Sequence, residues 1–280
     1  MRVAVVTDST AYLPAGIAAQ RGVTVVPLHV VLGGRTGAEN VEVSPEEVAS
    51  ALGERRIAVS TSRPTPGEFA EAYRASGATQ VASLHLSSAL SGTVDSARLG
   101  AAQVLAEGIE VRVVDTKTIA MGLGFAVLAA AATAASDGDL VAVEADGMAA
   151  AAATTTLFYV DSLEHLRRGG RMTARAALVG TALAVKPLLH VANGEIELLE
   201  KVRTASKGLA RLEQLAVQRA GDGPVDLAVH HLAAADSAEL LADRLRGRLP
   251  GAGHVYLSEV GAVVGAHVGP GLLGVVVLRR

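Results

Sequence analysis

Four strand-like runs in this chain each lead into a short loop crowded with hydroxyls. That repeat limits the possible folds more than any other feature of the sequence. Val3 to Thr7 enters Asp8-Ser9-Thr10, and Ile57 to Ser60 enters Thr61-Ser62-Arg63-Pro64-Thr65. Gln80 to Leu86 enters Ser87-Ser88-Ala89-Leu90-Ser91-Gly92-Thr93, and Val111 to Val114 enters Asp115-Thr116-Lys117-Thr118. Helical segments separate the runs. Strand, helix, strand in repetition predicts an α/β fold, with a parallel sheet flanked by helices. Ligands of such sheets bind beyond the carboxyl ends of the strands, so the four loops are expected to gather at one edge.

Local signals fix several helix starts. Ser44-Pro45-Glu46-Glu47 and Thr65-Pro66-Gly67-Glu68 each offer a cap, a proline in the first turn and a glutamate at the third position. Pro14 to Arg21 reads as a short helix, and Val23 to Leu32 as one strand stopped by Gly33-Gly34. Ile119 to Ala135 reads as a buried helix, since its alanines carry too little transfer energy for a membrane span. An Ala-rich helix follows, ending near Ala153, where a domain change is expected.

Beyond it the pattern changes. Thr155 to Val160 reads as a strand, Leu163 to Arg168 as a short helix closed by Gly169-Gly170, and Thr173 to Leu183 as another helix. Pro187 to Val191 and Glu195 to Val202 flank Asn193-Gly194, a strong two-residue hairpin signal. Helices over Ser206–Ala220 and Ser237–Arg248 alternate with strands over Val225–His230, Val255–Ser258 and Leu272–Leu278. The expectation is two domains: 1–153, a parallel α/β domain, and 154–280, an α+β domain with a mixed sheet.

Composition narrows the function. Apolar residues make up 50% of the chain but aromatics only 2%, so the core must be built from Ala, Val and Leu. With a net charge of −3 and few aromatic faces for stacking bases, a nucleic-acid partner is not expected. The absence of cysteine excludes thiolate catalysis and cysteine metal sites, and fits a reducing compartment. The amino terminus turns acidic too early for a signal peptide, so a cytoplasmic protein, not integral to the membrane, is expected. The eight histidines show no paired spacing with acidic residues that points to a metal.

The junction at Ser87–Thr93 admits two readings. Ser91 either caps its own helix, or the helix start holds an anion such as a carboxylate or phosphate. Thr61 is either a loop hydroxyl bonded to its own backbone or a ligand donor. His267 follows Val263-Val264, read as strand, and lies between Gly265 and Gly269-Pro270-Gly271. It is either a satisfied core residue or, given the flanking glycines, a group close to a ligand. Arg171 and Arg203 read first as exposed charges.

Seven stretches in order resemble the DegV family over the whole chain. They are Val3 to Thr10, Thr61 to Phe69, Ser87 to Thr93, Val114 to Lys117, Gly169 to Met172, Lys201-Val202-Arg203 and Gly265 to Gly271. The resemblance implies a two-domain protein with a lipid tunnel between its domains that binds one long-chain fatty acid without a further cofactor. It implies a binding subunit, without catalytic activity of its own, that presents the acid to a fatty acid kinase subunit and holds the acyl phosphate. Thr61 and Ser91 would bind the carboxylate, with Ser62, the Gly92 amide and His267 beside them. Arg171 and Arg203 would serve docking of the kinase subunit or phosphoryl transfer. Arg63 departs from the family pattern, where glutamine is usual, and Val94 stands where tyrosine is common.

The chemistry suits such a ligand. A C16 tail carries on the order of 12 kcal/mol of gross burial, which this aliphatic chain can supply. A buried carboxylate without donors would cost several kcal/mol or take up a proton. The competing class is a hydrolase or phosphotransferase using Ser91 and His267 on an acyl or phosphoester substrate. Against it, Ser91 lies in no Gly-Xaa-Ser-Xaa-Gly elbow. No glycine-rich phosphate loop with lysine is present, and the first strand does not lead into a dinucleotide-binding turn.

Overall fold

The computed structural model describes residues 2–54, 57–172 and 185–280. The helix expected over Thr173–Leu183 lies outside them. The chain forms two compact units: Met1–His29 with Ser62–Ala153, and Val30–Thr61 with Thr154–Arg280. One boundary between the units lies at 153/154, and Val30–Thr61 groups with the second unit.

In the first unit, β1 (Ala4–Asp8), β2 (Val23–Val26), β6 (Gln80–His85) and β7 (Glu110–Asp115) form a parallel sheet in the order β2-β1-β6-β7. A short α1 (Ile17–Gln20) leads into β2. The helices α3 (Pro66–Ala75) and α4 (Thr93–Val104) pack as one pair, α5 (Met121–Ala135) and α6 (Leu140–Ala152) as another. Phe69 and Tyr73 of α3 join Val6, Val26, Val81 and Ala97 in one core cluster. Every residue of α5 from Met121 to Val127 is buried, as an all-apolar helix requires.

With so few aromatics, density comes from close backbone approach. Gly100 of α4 meets α3 so tightly that a Cβ there would lie 2.7 Å from both the Pro66 carbonyl oxygen and Phe69 Cβ. Gly147 of α6 likewise faces the Ala126 carbonyl oxygen and the Ala130 methyl of α5.

The second unit holds two sheets. One is three-stranded, in the order β4-β3-β5, from β3 (His29–Leu32), β4 (Arg35–Ala38) and β5 (Val59–Ser62), with α2 (Pro45–Gly53) between the last two. The single strand expected over Val23–Leu32 is therefore two strands in separate sheets. Pro27 cannot donate to a ladder and interrupts the run. Strand β5 also falls outside the parallel sheet, so the Thr61 segment does not follow one of its strands as expected.

The other sheet is mixed, in the order β10-β9-β8-β13-β11-β12. Its strands are β8 (Thr154–Tyr159), β9 (Lys186–Ala192), β10 (Glu195–Val202), β11 (Val225–His231), β12 (Ala252–Glu259) and β13 (Leu273–Arg279). Only β11 and β12 pair in parallel. The hairpin turn has φ of 51° at Asn193 and 87° at Gly194, the left-handed pair that its sequence favours. Among the described residues the remaining helices are α7 (Glu164–Gly169), α8 (Ala205–Ala220), α9 (Ala235–Arg248) and α10 (Ala262–Val268). Leu212 and Leu215 of α8 and Leu241 and Leu245 of α9 share a cluster with Leu227, Val229, Val275 and Val277 of the sheet. No helix among the described residues is long and apolar enough to cross a membrane.

Gly100→Ala should destabilise the protein by about 1–3 kcal/mol in urea denaturation, although alanine is the better helix former. An unchanged midpoint would show that the α3–α4 contact is looser than described.

Candidate functional site

Most hydroxyls of the loops after β1, β6 and β7 serve the fold itself. Asp8 is fully buried and accepts four hydrogen bonds. They come from Thr10 N–H at 3.0 Å, Thr10 Oγ1 at 2.5 Å, His85 Nδ1 at 3.0 Å and Leu86 N–H at 3.1 Å. His85 Nε2 lies 2.7 Å from Ser83 Oγ, which in turn lies 2.9 Å from Tyr73 OH. An Asp-His-Ser chain of this kind invites a catalytic reading. All three residues are sealed from solvent, however, and the chain ties β1, β6 and α3 together. Burial raises the Tyr73 phenol well above its ordinary pKa and keeps it neutral.

Ser88 Oγ donates to Asp115 Oδ2 at 2.5 Å, Thr116 Oγ1 donates to the His85 carbonyl at 2.8 Å, and Ser87 Oγ accepts from Ala89 N–H at 3.2 Å. Ser91 and Thr93 are left at the head of α4, their hydroxyls 2.8 Å apart. Ser91 does not cap the helix. Gly92 holds that position, and no side chain caps it. The Arg63 guanidinium lies directly against Gly92, where any Cβ would collide with it. The contact is with the far end of a flexible side chain, and the dihedral angles of Gly92, φ −73° and ψ 18°, are open to any residue.

In the second unit, Thr61 and His267 come together across 206 positions of sequence. Thr61 Oγ1 lies 2.8 Å from His267 Nε2. His267 stands in the last turn of α10, so the strand expected there is a helix. Gly169, the last residue of α7, lets the imidazole ring pass; a Cβ there would strike Nδ1. Desolvation, and then the positive charge of Arg171, push the His267 pKa down to about 4. The imidazole is neutral at pH 7. Arg171 donates to the Gly169 carbonyl and so stays beside the histidine. Arg203 follows β10 and is exposed, and no hydrogen bond or ion pair joins it to Thr61 or His267 among the described residues. Ser62 ends β5 and is exposed.

Sequence reasoning missed two residues that shape this arrangement, Glu39 and Gly169. Glu39 is 1% exposed and its Oε1 accepts from Val263 N–H at 2.8 Å. Nothing local distinguishes it from a solvated glutamate. Gly169 had a signal, its place in a Gly-Gly pair, but that reads first as a helix stop. Among the described residues no group of three or more His, Cys, Asp or Glu could hold a metal ion.

The lowered pKa sets a pH dependence. Between the ordinary histidine pKa near 6.5 and about 4, the unfolded chain binds a proton at His267 that the folded chain refuses. Stability should therefore fall as the pH drops through that window and level off below it; His230, also near 4 through burial, adds to the effect. A histidine ring titration by NMR should place the His267 midpoint near 4. A midpoint near 6.5 would contradict the described burial.

The family model for DegV, "Uncharacterised protein, DegV family", matches residues 2–280. The chain is 57% identical over 281 residues to a DegV domain-containing protein of Streptomyces coelicolor, covering 99% of each. It is 35% identical over 283 residues to Protein DegV of Bacillus subtilis, covering 98% of each. Among solved structures it resembles a DegV family protein from Thermus thermophilus whose fatty acid binding is reported, with a TM-score of 0.93 and 32% identity over all of both chains. It also resembles the crystal structure of DegV from Bacillus subtilis, named a fatty acid binding protein, with a TM-score of 0.91 and 32% identity over all of both chains. The chain belongs to the DegV family.

Proposed function

We propose that this protein binds a long-chain fatty acid by its carboxylate and presents it to a fatty acid kinase subunit, then carries the acyl phosphate. The observation that supports this most is the full-length likeness to the Thermus thermophilus fatty-acid-binding protein. The chemistry around Thr61 agrees with it. A neutral His267 with its proton on Nε2 donates to Thr61 Oγ1, and the threonine's own proton then turns toward a ligand oxygen. The carboxylate would thus meet neutral donors, with no buried countercharge to desolvate.

In this reading Thr61 and Ser91 hold the carboxylate. Ser62, the Gly92 amide at the uncapped start of α4, and His267 complete the set, and an apolar channel takes the tail. Arg171 and Arg203 serve the kinase subunit or the transferred phosphoryl group, a role suited to the planar guanidinium. The chain itself performs no chemistry, and the kinase supplies ATP.

Thr61→Ala with Ser91→Ala should leave the fold intact and weaken palmitate binding by about 1.5–3 kcal/mol per lost bond, read by titration calorimetry. Undiminished binding would remove both residues from the site. With a fatty acid kinase subunit and ATP, the wild type should support acyl phosphate formation and His267→Ala far less. Equal turnover by the variant would leave His267 a structural residue. Hydrolysis of an acyl ester or phosphoester by the chain alone would favour the competing enzyme class.

A further inference from the structure

We propose that Glu39 is the positioning residue for His267. Its carboxylate fixes the amino end of α10, and the helix then delivers the imidazole to Thr61. A carboxylate as deeply buried as this one costs several kcal/mol unless hydrogen-bonded donors meet it. Glu39 Oε1 is met by the Val263 amide in the first turn of α10, 2.8 Å away, at the helix end whose dipole favours negative charge.

The helix needs such an anchor. It has seven residues, too few to be stable by its own hydrogen bonds, and no side chain of its own caps it. Val263 and His267 are four residues apart and lie on one face. A shift at the first is therefore passed directly to the second.

The anchor itself is rigid. Glu39 follows β4, and its segment is closed by a bridge to Val43 and by Ala38 N–H donating to Glu42 Oε2 at 2.8 Å. Strand β4 pairs with β3, and β3 with β5, which carries Thr61. One three-stranded sheet thus holds α10 at both ends, by Glu39 at its start and by Thr61 at its last turn. The helices α2 and α7 pack against α10. From α2, Val48 reaches to within 3.8 Å of where a Gly265 Cβ would lie.

The consequence for ligand affinity rests on the fatty-acid reading; the placement of His267 does not. The test uses the full chain labelled with 13C-histidine, the His267 ring signals being assigned by their loss in His267→Gln. Glu39→Asp keeps the charge but draws the acceptor back by one methylene. It should shift the His267 signals in the ligand-free protein and weaken palmitate about tenfold. Glu39→Gln keeps an acceptor oxygen at full reach and loses only the charge, so it should move the His267 signals and weaken palmitate less than Glu39→Asp does. His267 signals in Glu39→Asp that coincide with the wild type would overturn the proposal. So would a Glu39→Gln variant that moves them as far as Glu39→Asp does. Failure of wild-type palmitate binding would instead overturn the fatty-acid reading, and the ring signals would still decide the role of Glu39.

Discussion

A neutral imidazole held 2.8 Å from a threonine hydroxyl is the contact that ties strand β5 to the last turn of α10. Charge would spoil it. A protonated His267 would have to be paid for in desolvation beside Arg171, and the depressed pKa records that penalty. Keeping the ring neutral requires burial, and burial requires neighbours that come close without adding polar atoms. Gly169 meets that need from α7, and Glu39 locks the helix from its far end. The elements that hold the pair are short, so the geometry depends on tertiary contacts and not on helix propensity.

The two units solve the problem of a core without aromatics in different ways. The first packs helices through glycine and alanine, bringing backbones together at Gly100 and Gly147. It then spends one set of buried polar groups, Asp8, His85, Ser83 and Tyr73, on cross-tying strands to a helix. Each partner there has a hydrogen bond, so the chain is a rigid strut and not a reactive one. The second relies on leucine and valine between a mixed sheet and two long helices. Among the described loop hydroxyls, Ser91 stands before a helix start that no side chain caps, and Thr61 lies in an edge strand.

Much of this was legible in the sequence wherever the determinant is local. Both capping boxes form as written, Ser44 with Glu47 and Thr65 with Glu68, because each needs only four consecutive residues. The Asn193-Gly194 hairpin forms for the same reason. The parallel strands β1, β6 and β7 follow from their buried runs. What sequence could not show is which sheet a strand joins. Val23 to Leu32 reads as one strand, yet Pro27 divides it between two sheets. Thr61 reads as part of the parallel sheet's edge but lies within a strand of another. Helix α10 reads as strand because its valines favour that state, and the contacts that hold it as a helix, with α2, α7 and Glu39, are distant in sequence. The hydroxyl-rich loops mislead in the other direction: most of their oxygens bond within the fold, and only Ser91 and Thr93 remain at the helix start.

In the proposed function, neutral donors hold the head group of a long-chain acid. Native mass spectrometry of the purified chain, before and after addition of palmitate, tests it most directly. One fatty acid should be retained per chain, and that species should be lost when Thr61 and Ser91 are both changed to alanine. A wild-type chain that stays at its ligand-free mass with palmitate in excess would contradict it.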